Sequence, residues 1–215
     1  MAQHEDVEIT VEGGNLVIEN GIAVPGGGHL FEAEFGELGN PFGTDEPGFE
    51  VDDGLFNPGE ILAYQALGAL QYWDGVAWTS AVPDGEHIIA EAQLGVETIW
   101  DTSGVFDPFG IIDEADSEGG VHTHLEFGIA NSGTGDPAAG AYIIELAFLG
   151  LAADQVTEIY GPSDSLFIAF NMGLSEDDFE FAVDAFAAPV PVPGAILLLL
   201  SGLTSLVGLR RRRNV

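Results

Sequence analysis

Apolar and polar residues alternate in several short segments of the chain, which is the pattern of a strand with one buried face. Val7, Ile9 and Val11 form the first such segment, and Gly13-Gly14 makes a tight turn into the next, at residues 16–18. Strands are also predicted at residues 30–35, 87–94, 97–100, 121–130, 141–149 and 166–171. The strands at 121–130 and 141–149 are expected to pair with each other.

Two segments lack this clear alternation. Residues 61–72 fit either a strand or a helix, and residues 36–60, rich in Gly, Pro, Asn and Asp, indicate a long ordered loop. A helix is predicted after Ser175, a capping residue with Asp178 three positions on, and its apolar face is Phe179, Val183 and Phe186. The expected fold class is therefore all-β, an antiparallel β-sandwich with one helix on its C-terminal side.

The end of the chain follows a third pattern. Its residues are Val190, Pro191, Val192, Pro193 and Gly194, then an uncharged apolar run to position 209, then Arg210, Arg211, Arg212 and Arg213. A helix over this run reaches ~24 Å, less than the ~30 Å of a hydrocarbon core. We expect residues 1–188 to be an exported acidic domain. Residues 189–215 would then be a linker and a single short transmembrane helix, with the Arg cluster in the cytoplasm.

This tail resembles the PEP-CTERM sorting signal of bacterial exosortase substrates. The order and spacing match, except that Val192 stands where the namesake motif has Glu. The resemblance implies export, recognition by a membrane exosortase and a final place in the cell envelope, at the surface or outside the cell. The alternative is an ordinary C-terminal membrane anchor. The first residues show no signal peptide, so we expect that a leader is missing from this sequence or has been removed.

The charge and composition of the chain exclude several classes of function and site. The chain has 36 acidic residues and four basic ones, and all four basic residues are in the tail, so residues 1–209 contain no Lys or Arg. Nucleic-acid binding is excluded for this part, because phosphate contacts need Lys or Arg. The 46% hydrophobic content predicts a folded domain in spite of the charge. The absence of cysteine excludes disulfides and thiolate metal sites.

The strand at 121–130 carries the best candidate for a binding site. His122, His124 and Glu126 share one face, and the apolar residues between them line the other. Two imidazoles and a carboxylate are a plausible set of zinc ligands. His4, His29 or His87 could supply a further nitrogen. The alternative is an exposed polar strand face whose histidines bind no metal.

The middle of the chain also resembles bacterial surface-anchored proteins, including a PEP-CTERM subfamily controlled by the zinc-uptake repressor. The matching positions are His4 and Asp6; Thr44, Asp45, Pro47, Gly48 and Phe49; the His-x-His-x-x-Phe strand from His122; and Gly140 and Tyr142. This resemblance implies a role outside the cytoplasm in zinc acquisition or storage, and it implies His4, His122 and His124 as ligands.

Two acidic clusters are candidates for calcium. One is Glu50 with Asp52 and Asp53, and the other is Asp113, Glu114, Asp116 and Glu118, but neither has the spacing of an EF-hand loop. Solvated loops are the alternative. No motif of an enzyme class is present, so we predict a binding protein, with a zinc hydrolase as a lesser alternative. A second alternative is a structural or adhesive matrix component that holds water and cations, with extracellular polysaccharide as a partner.

Overall fold

A computed structural model of the chain describes residues 5–36 and 39–188. The strands are β1 Val7–Glu12, β2 Asn15–Ile18, β3 Ile22–Ala23, β4 His29–Glu34, β5 Gly43–Thr44, β6 Gly48–Val51, β7 Ile61–Trp73, β8 Trp78–Thr79, β9 His87–Ala92, β10 Val96–Asp101, β11 Gly104–Phe106, β12 Phe109–Glu114, β13 Val121–His124, β14 Glu126–Ala130, β15 Gly140–Leu151, β16 Glu158–Tyr160 and β17 Leu166–Met172. One α-helix, α1 (Glu176–Ala187), follows them within the described residues. This part of the chain is thus mostly β with one helix, as the sequence predicts.

The strands form three sheets. The first has the order β13-β6-β1-β2, the second β11-β10-β9-β14-β5, and the third β12-β7-β15-β17-β4-β3 with β8 and β16 beside β7 and β15. Most neighbours are antiparallel, but β1 runs parallel to β6 and β17 runs parallel to β4. These two parallel pairs depart from the antiparallel arrangement that the sequence predicts. Parallel neighbours cannot be joined by a tight turn, so no local turn signal marks them.

One hydrophobic cluster takes residues from all three sheets. Phe49 of the first sheet meets Phe148 of the third with ring centroids 5.6 Å apart. Phe127 of the second sheet meets Phe170 of the third at 5.3 Å. Aromatic pairs of this kind contribute about 0.5–1.5 kcal/mol beyond the burial of their area. The sheets therefore pack on a shared core, which is consistent with a β-sandwich.

Helix α1 packs on one side of the third sheet, and its presence confirms the helix predicted after Ser175. The Ser175 side chain accepts a hydrogen bond from the backbone N–H of Asp178, as its capping position predicts. Phe179 and Val183 are buried, and Phe186 is partly buried against the same cluster. The predicted apolar face is therefore the one that packs on the sheet.

The structure shows what is formed by the two segments in which apolar and polar residues do not clearly alternate. Residues 61–72 belong to the long strand β7, which is buried on both faces over its first half and so shows no period of two. The predicted loop at 36–60 contains the short strands β5 and β6, and this part of the prediction is wrong. Phe49 and Val51 of β6 are buried alternately, but four residues between Gly- and Pro-rich turns are too few to stand out as a pattern.

The predicted strand at 121–130 is two strands in different sheets. The chain leaves β13 at His124, passes through the buried Leu125 and enters β14 in the second sheet. β14 pairs with β9 and β5, whereas β15 pairs with β7, β16 and β17. The expected pairing of 121–130 with 141–149 is therefore wrong, because β14 pairs with strands far before it in sequence, whereas β15 pairs with β7 and with the two strands that follow it.

Several expectations fall on residues outside the described ranges. They are His4, the sorting motif at 190–194, the apolar run and the cluster Arg210 to Arg213. Among the described residues, no helix has the length and apolar character needed to cross a membrane.

Candidate metal centre

The first sheet brings His122 and His124 of β13 next to the start of β1. β13 pairs with β6 so that His122 lies opposite Glu50 and His124 opposite Gly48. β1 runs parallel to β6, and Asp6, the residue just before β1, reaches the level of Gly48. Alternate residues of a strand share a face, so the two imidazoles and the Asp6 carboxylate lie on one face of the sheet.

Gly48 leaves the space in which two of these side chains meet. A Cβ atom on Gly48 would lie 2.5 Å from Oδ1 of Asp6 and 2.8 Å from Nε2 of His124. The two side chains therefore converge above the backbone of the strand between them. The φ angle of Gly48 is not in the left-handed region, so the backbone conformation does not require glycine here. The absence of a side chain at Gly48 instead leaves space for the side chains of Asp6 and His124.

A backbone carbonyl fixes the orientation of His124. Its Nδ1 lies 2.8 Å from the carbonyl oxygen of Asp45. A carbonyl oxygen only accepts hydrogen bonds, so Nδ1 carries the hydrogen and Nε2 of the neutral ring keeps its lone pair. Nε2 is the ring nitrogen that lies near the position of an added Gly48 Cβ, as does Oδ1 of Asp6. Histidines that bind metals usually donate their other ring N–H to a carbonyl or a carboxylate in this way.

His122 completes a group of three ligand atoms. Its Nδ1 lies 3.8 Å from Oδ2 of Asp6, and its ring centroid is 5.9 Å from that of His124. One ligand atom from each of Asp6, His122 and His124 lies within 4.8 Å of the other two. Ligands about 2.0–2.1 Å from a tetrahedral zinc stand about 3.3 Å apart. The side chain of His122 is 62% exposed, so it can rotate to close this difference.

Carboxylates surround the three ligands. Glu8, Glu19, Glu50 and Asp52 line an adjoining cleft of about 180 Å³. No Lys or Arg side chain is present in residues 1–209 to offset them. Such a single-sign surface raises the local concentration of cations and speeds their arrival, most strongly at low salt.

A second group shares one member with the first. Ligand atoms of Asp45, Glu46 and His124 also lie within 4.8 Å of one another. Both carboxylates are half-buried. They add negative charge close to His124, which favours a cation near this imidazole.

The structure does not bring Glu126, His29 or His87, the other described candidates for ligands, to this centre. Glu126 begins β14 in the second sheet, opposite Glu91, because the chain changes sheets at Leu125. His29 and His87 bond to other carbonyls, with Nδ1 2.6 Å from Asn20 O and 3.3 Å from Gly85 O respectively. His4 lies outside the described residues, two positions before Asp6.

The sequence analysis names Asp6 and Gly48 only as positions of a resemblance and identifies neither as part of the site. Both matter because β1 pairs in parallel with β6, a contact between segments that no turn connects. Apart from the resemblance, the available signal was the acidic residue at position 6, which lies in register with the alternation of β1 and so shares the face of Glu8.

The two predicted calcium clusters contribute to one acidic group. Ligand atoms of Asp53, Asp116 and Glu118 lie within 4.8 Å of one another, and all three residues are exposed. Backbone N–H groups, first that of Glu118 and then that of Gly120, lower the pKa of the Asp116 carboxyl. This carboxylate therefore already has donors in its own turn, and water reaches the whole group.

Comparison with known proteins assigns no class to the chain. No protein-family model matches it, and no curated protein sequence matches it. The description of the centre therefore rests on its donor set, which is two imidazoles and one carboxylate on a single face of a sheet.

Proposed function

We propose that the described domain binds one divalent metal ion, zinc, through Asp6, His122 and His124. The observation that carries this proposal is the convergence of Asp6 Oδ1 and His124 Nε2 over Gly48, with the His124 ring oriented by the Asp45 carbonyl. Two nitrogen ligands and one oxygen ligand suit zinc.

An open, exposed centre favours metal handling over a structural role. Structural zinc sites have four protein ligands and are closed, whereas this group offers three, and His122 is largely exposed. Water or another molecule can fill the fourth position, so metal can enter and leave. Catalytic zinc sites also have three protein ligands and an open position. Because the sequence carries no motif of an enzyme class, we propose zinc acquisition or storage as the role.

The proposed place of action is outside the cytoplasm. Support comes from the sequence of residues 189–215, with its Pro motif, apolar run and Arg cluster, and from the resemblance to exosortase substrates. The partners would be an exosortase and the membrane. In a host with an exosortase, Pro191→Ala/Pro193→Ala should leave a longer, uncleaved protein in the membrane fraction. Equal mature masses for both proteins, by mass spectrometry, would contradict this part of the proposal.

Charge favours a second function. The net charge of −32 suits an acidic matrix component that holds water and cations without a specific site and contacts extracellular polysaccharide. Stoichiometry separates the two functions, because a diffuse acidic surface takes up cations weakly, in a salt-sensitive way and in no fixed ratio.

The deciding experiment is a zinc titration of the full chain without a polyhistidine tag, beside His122→Ala/His124→Ala and the control His87→Ala. The metal centre predicts one tightly held zinc per chain in the wild type and in the control. It predicts loss of that zinc in the double variant. Weak uptake that is equal in all three proteins and vanishes in moderate salt would leave the acidic matrix function.

A further inference from the structure

Asp6 is the one proposed zinc ligand that lies outside a strand. β1 begins at Val7, which pairs with Phe49 of β6, and the antiparallel pairing with β2 begins at Ile9. A residue beyond the end of a strand keeps a fixed position only when other contacts hold its backbone. The place of the Asp6 carboxylate therefore depends on what holds the main chain at residues 6–8.

The side chain of Asn20 continues the pairing of β1 past the end of β2. β2 ends at Ile18, and the backbone N–H of Glu19 still donates to the carbonyl oxygen of Glu8 at 2.9 Å. At the next position the side chain replaces the backbone. Asn20 Oδ1 accepts from the N–H of Glu8 at 3.0 Å, and Nδ2 donates to the carbonyl oxygen of Asp6 at 2.8 Å. A carboxamide has the donor and the acceptor of a peptide group, so it can take the place of a strand residue here.

The turn that carries Asn20 is held on β4. The carbonyl oxygen of Asn20 accepts a hydrogen bond from Nδ1 of His29 at 2.6 Å. Gly21 has a φ of +87°, in the left-handed region, and a Cβ atom there would lie 2.5 Å from the ring of Phe31. Both His29 and Phe31 belong to β4, so this strand fixes the place of residue 20 independently of β1.

The two side-chain hydrogen bonds need an amide at position 20. The Asp6 carbonyl oxygen needs a donor, and the Glu8 N–H needs an acceptor. Aspartate would keep the acceptor for Glu8 but would set a carboxylate oxygen against the Asp6 carbonyl oxygen. Alanine would remove both partners and leave the two backbone groups to water. The amide at position 20 therefore acts directly on the main chain of Asp6.

We propose that Asn20 is a positioning residue of the zinc centre, an inference that rests on the function proposed above. The amide holds the main chain at the start of β1 and so keeps the Asp6 carboxylate near His124, over Gly48. Asn20 itself does not bind the ion. Contacts that orient a metal ligand typically change the metal affinity by about 10- to 100-fold. His29, a candidate ligand from the sequence, supports the centre through Asn20.

The first test opposes the effect of position to the effect of charge. Asn20→Asp adds a negative charge close to the centre, which alone would strengthen the binding of a cation. Because it also breaks the hydrogen bond to the Asp6 carbonyl oxygen, the zinc affinity of the full chain, without a polyhistidine tag, should fall by about 10-fold or more. Asn131→Asp adds the same charge in the loop after β14, where the Asn131 amide donates to Gly135, and should bind zinc as the wild type does. An affinity equal to that of the wild type or higher in a folded Asn20→Asp protein would overturn the proposal.

A double-mutant cycle separates positioning from a general effect on stability. Asp6→Ala removes the carboxylate and leaves weak binding by the two imidazoles, so Asn20→Ala added to it should change the zinc affinity by less than about twofold. In the wild-type background, Asn20→Ala should lower the affinity by about 10-fold or more. An equal loss in both backgrounds would mean that Asn20 acts on the fold and not through Asp6, and the proposal would be wrong.

The same measurements distinguish this inference from the proposed function. A wild type that retains no zinc would overturn both. Zinc that is lost in His122→Ala/His124→Ala but bound normally by both Asn20 variants would overturn the role of Asn20 alone.

Discussion

In the metal centre and in the acidic group of Asp53, Asp116 and Glu118, three ligand atoms lie within 4.8 Å of one another. The two groups differ in what holds their side chains in place. At the metal centre two ligands come from β13 and the third, Asp6, from the start of β1, and a glycine leaves room where Asp6 and His124 meet. In the acidic group, Asp116 accepts hydrogen bonds from the N–H groups of Glu118 and Gly120 in its own turn. Proximity of ligand atoms is therefore not enough. A centre also needs ligand atoms that are not already used by the backbone.

The largest expected effect is on zinc affinity, and it should differ between variants of the metal centre and variants of the acidic group. His122→Ala/His124→Ala should lower the zinc affinity by more than about 100-fold, because it removes both nitrogen ligands. Asp53→Asn/Asp116→Asn should leave the zinc affinity close to that of the wild type. Competition with a chromophoric chelator measures both. Comparable losses in the two double variants would show that overall acidity, and not the imidazole pair, holds the metal.

A smaller effect tests the space above Gly48. In Gly48→Ala every ligand is kept, but the new Cβ would lie too close to Asp6 Oδ1 and His124 Nε2, so both side chains must move apart. We expect the zinc affinity to fall by about 10- to 100-fold, the range seen when supporting contacts of a metal site are disturbed.

Gly128→Ala is the matched control for this prediction. Gly128 is also inside a strand and also outside the left-handed region, and the nearest atom to its added Cβ, the Phe42 carbonyl oxygen, is 3.7 Å away. Both variants should show the circular dichroism of the wild type. An unchanged zinc affinity in a folded Gly48→Ala protein would mean that Asp6 and His124 do not bind the ion together.

Local sequence signals predict some features of the structure, whereas features that depend on contacts between distant segments were not predicted. The hairpin of β1 and β2, the helix α1 and the exposed face of His122 and His124 follow from local signals of turns, caps and alternation, and the structure has them all. Asp6 and Gly48 depend on the parallel pairing of β1 with β6, and the loss of Glu126 depends on a change of sheet at Leu125. Such contacts join distant segments, so no hydrophobic period marks them, and the short motifs that contain Asp6 and Gly48 do not show that the two residues meet.

The acidic group should affect stability rather than ion binding, and it should do so in one pH window. The Asp116 pKa lies below its ordinary value of 3.8, so its stabilising effect is fully present above that value and is lost as the pH falls through the lowered pKa. Asp116→Asn should therefore show a small drop in melting temperature at pH 7 that shrinks as the pH falls below 3.8, relative to the exposed-loop control Asp136→Asn. The drop should be the same with and without calcium. A calcium-dependent difference would identify the group as a cation site.

The smallest expected effect concerns Glu126, which the sequence places beside the two histidines. The residue starts β14 in the second sheet and lines a different cleft with Glu91 and Glu97. It also belongs to none of the groups in which described ligand atoms converge. Removing one exposed charge outside a metal centre changes its field little at physiological salt. Glu126→Gln should therefore bind zinc within about twofold of the wild type, as should Glu91→Gln. If Glu126→Gln lost about as much zinc affinity as Gly48→Ala, and Glu91→Gln lost none, the prediction would be wrong. The end of β13 and the start of β14 would then act as one strand around the ion.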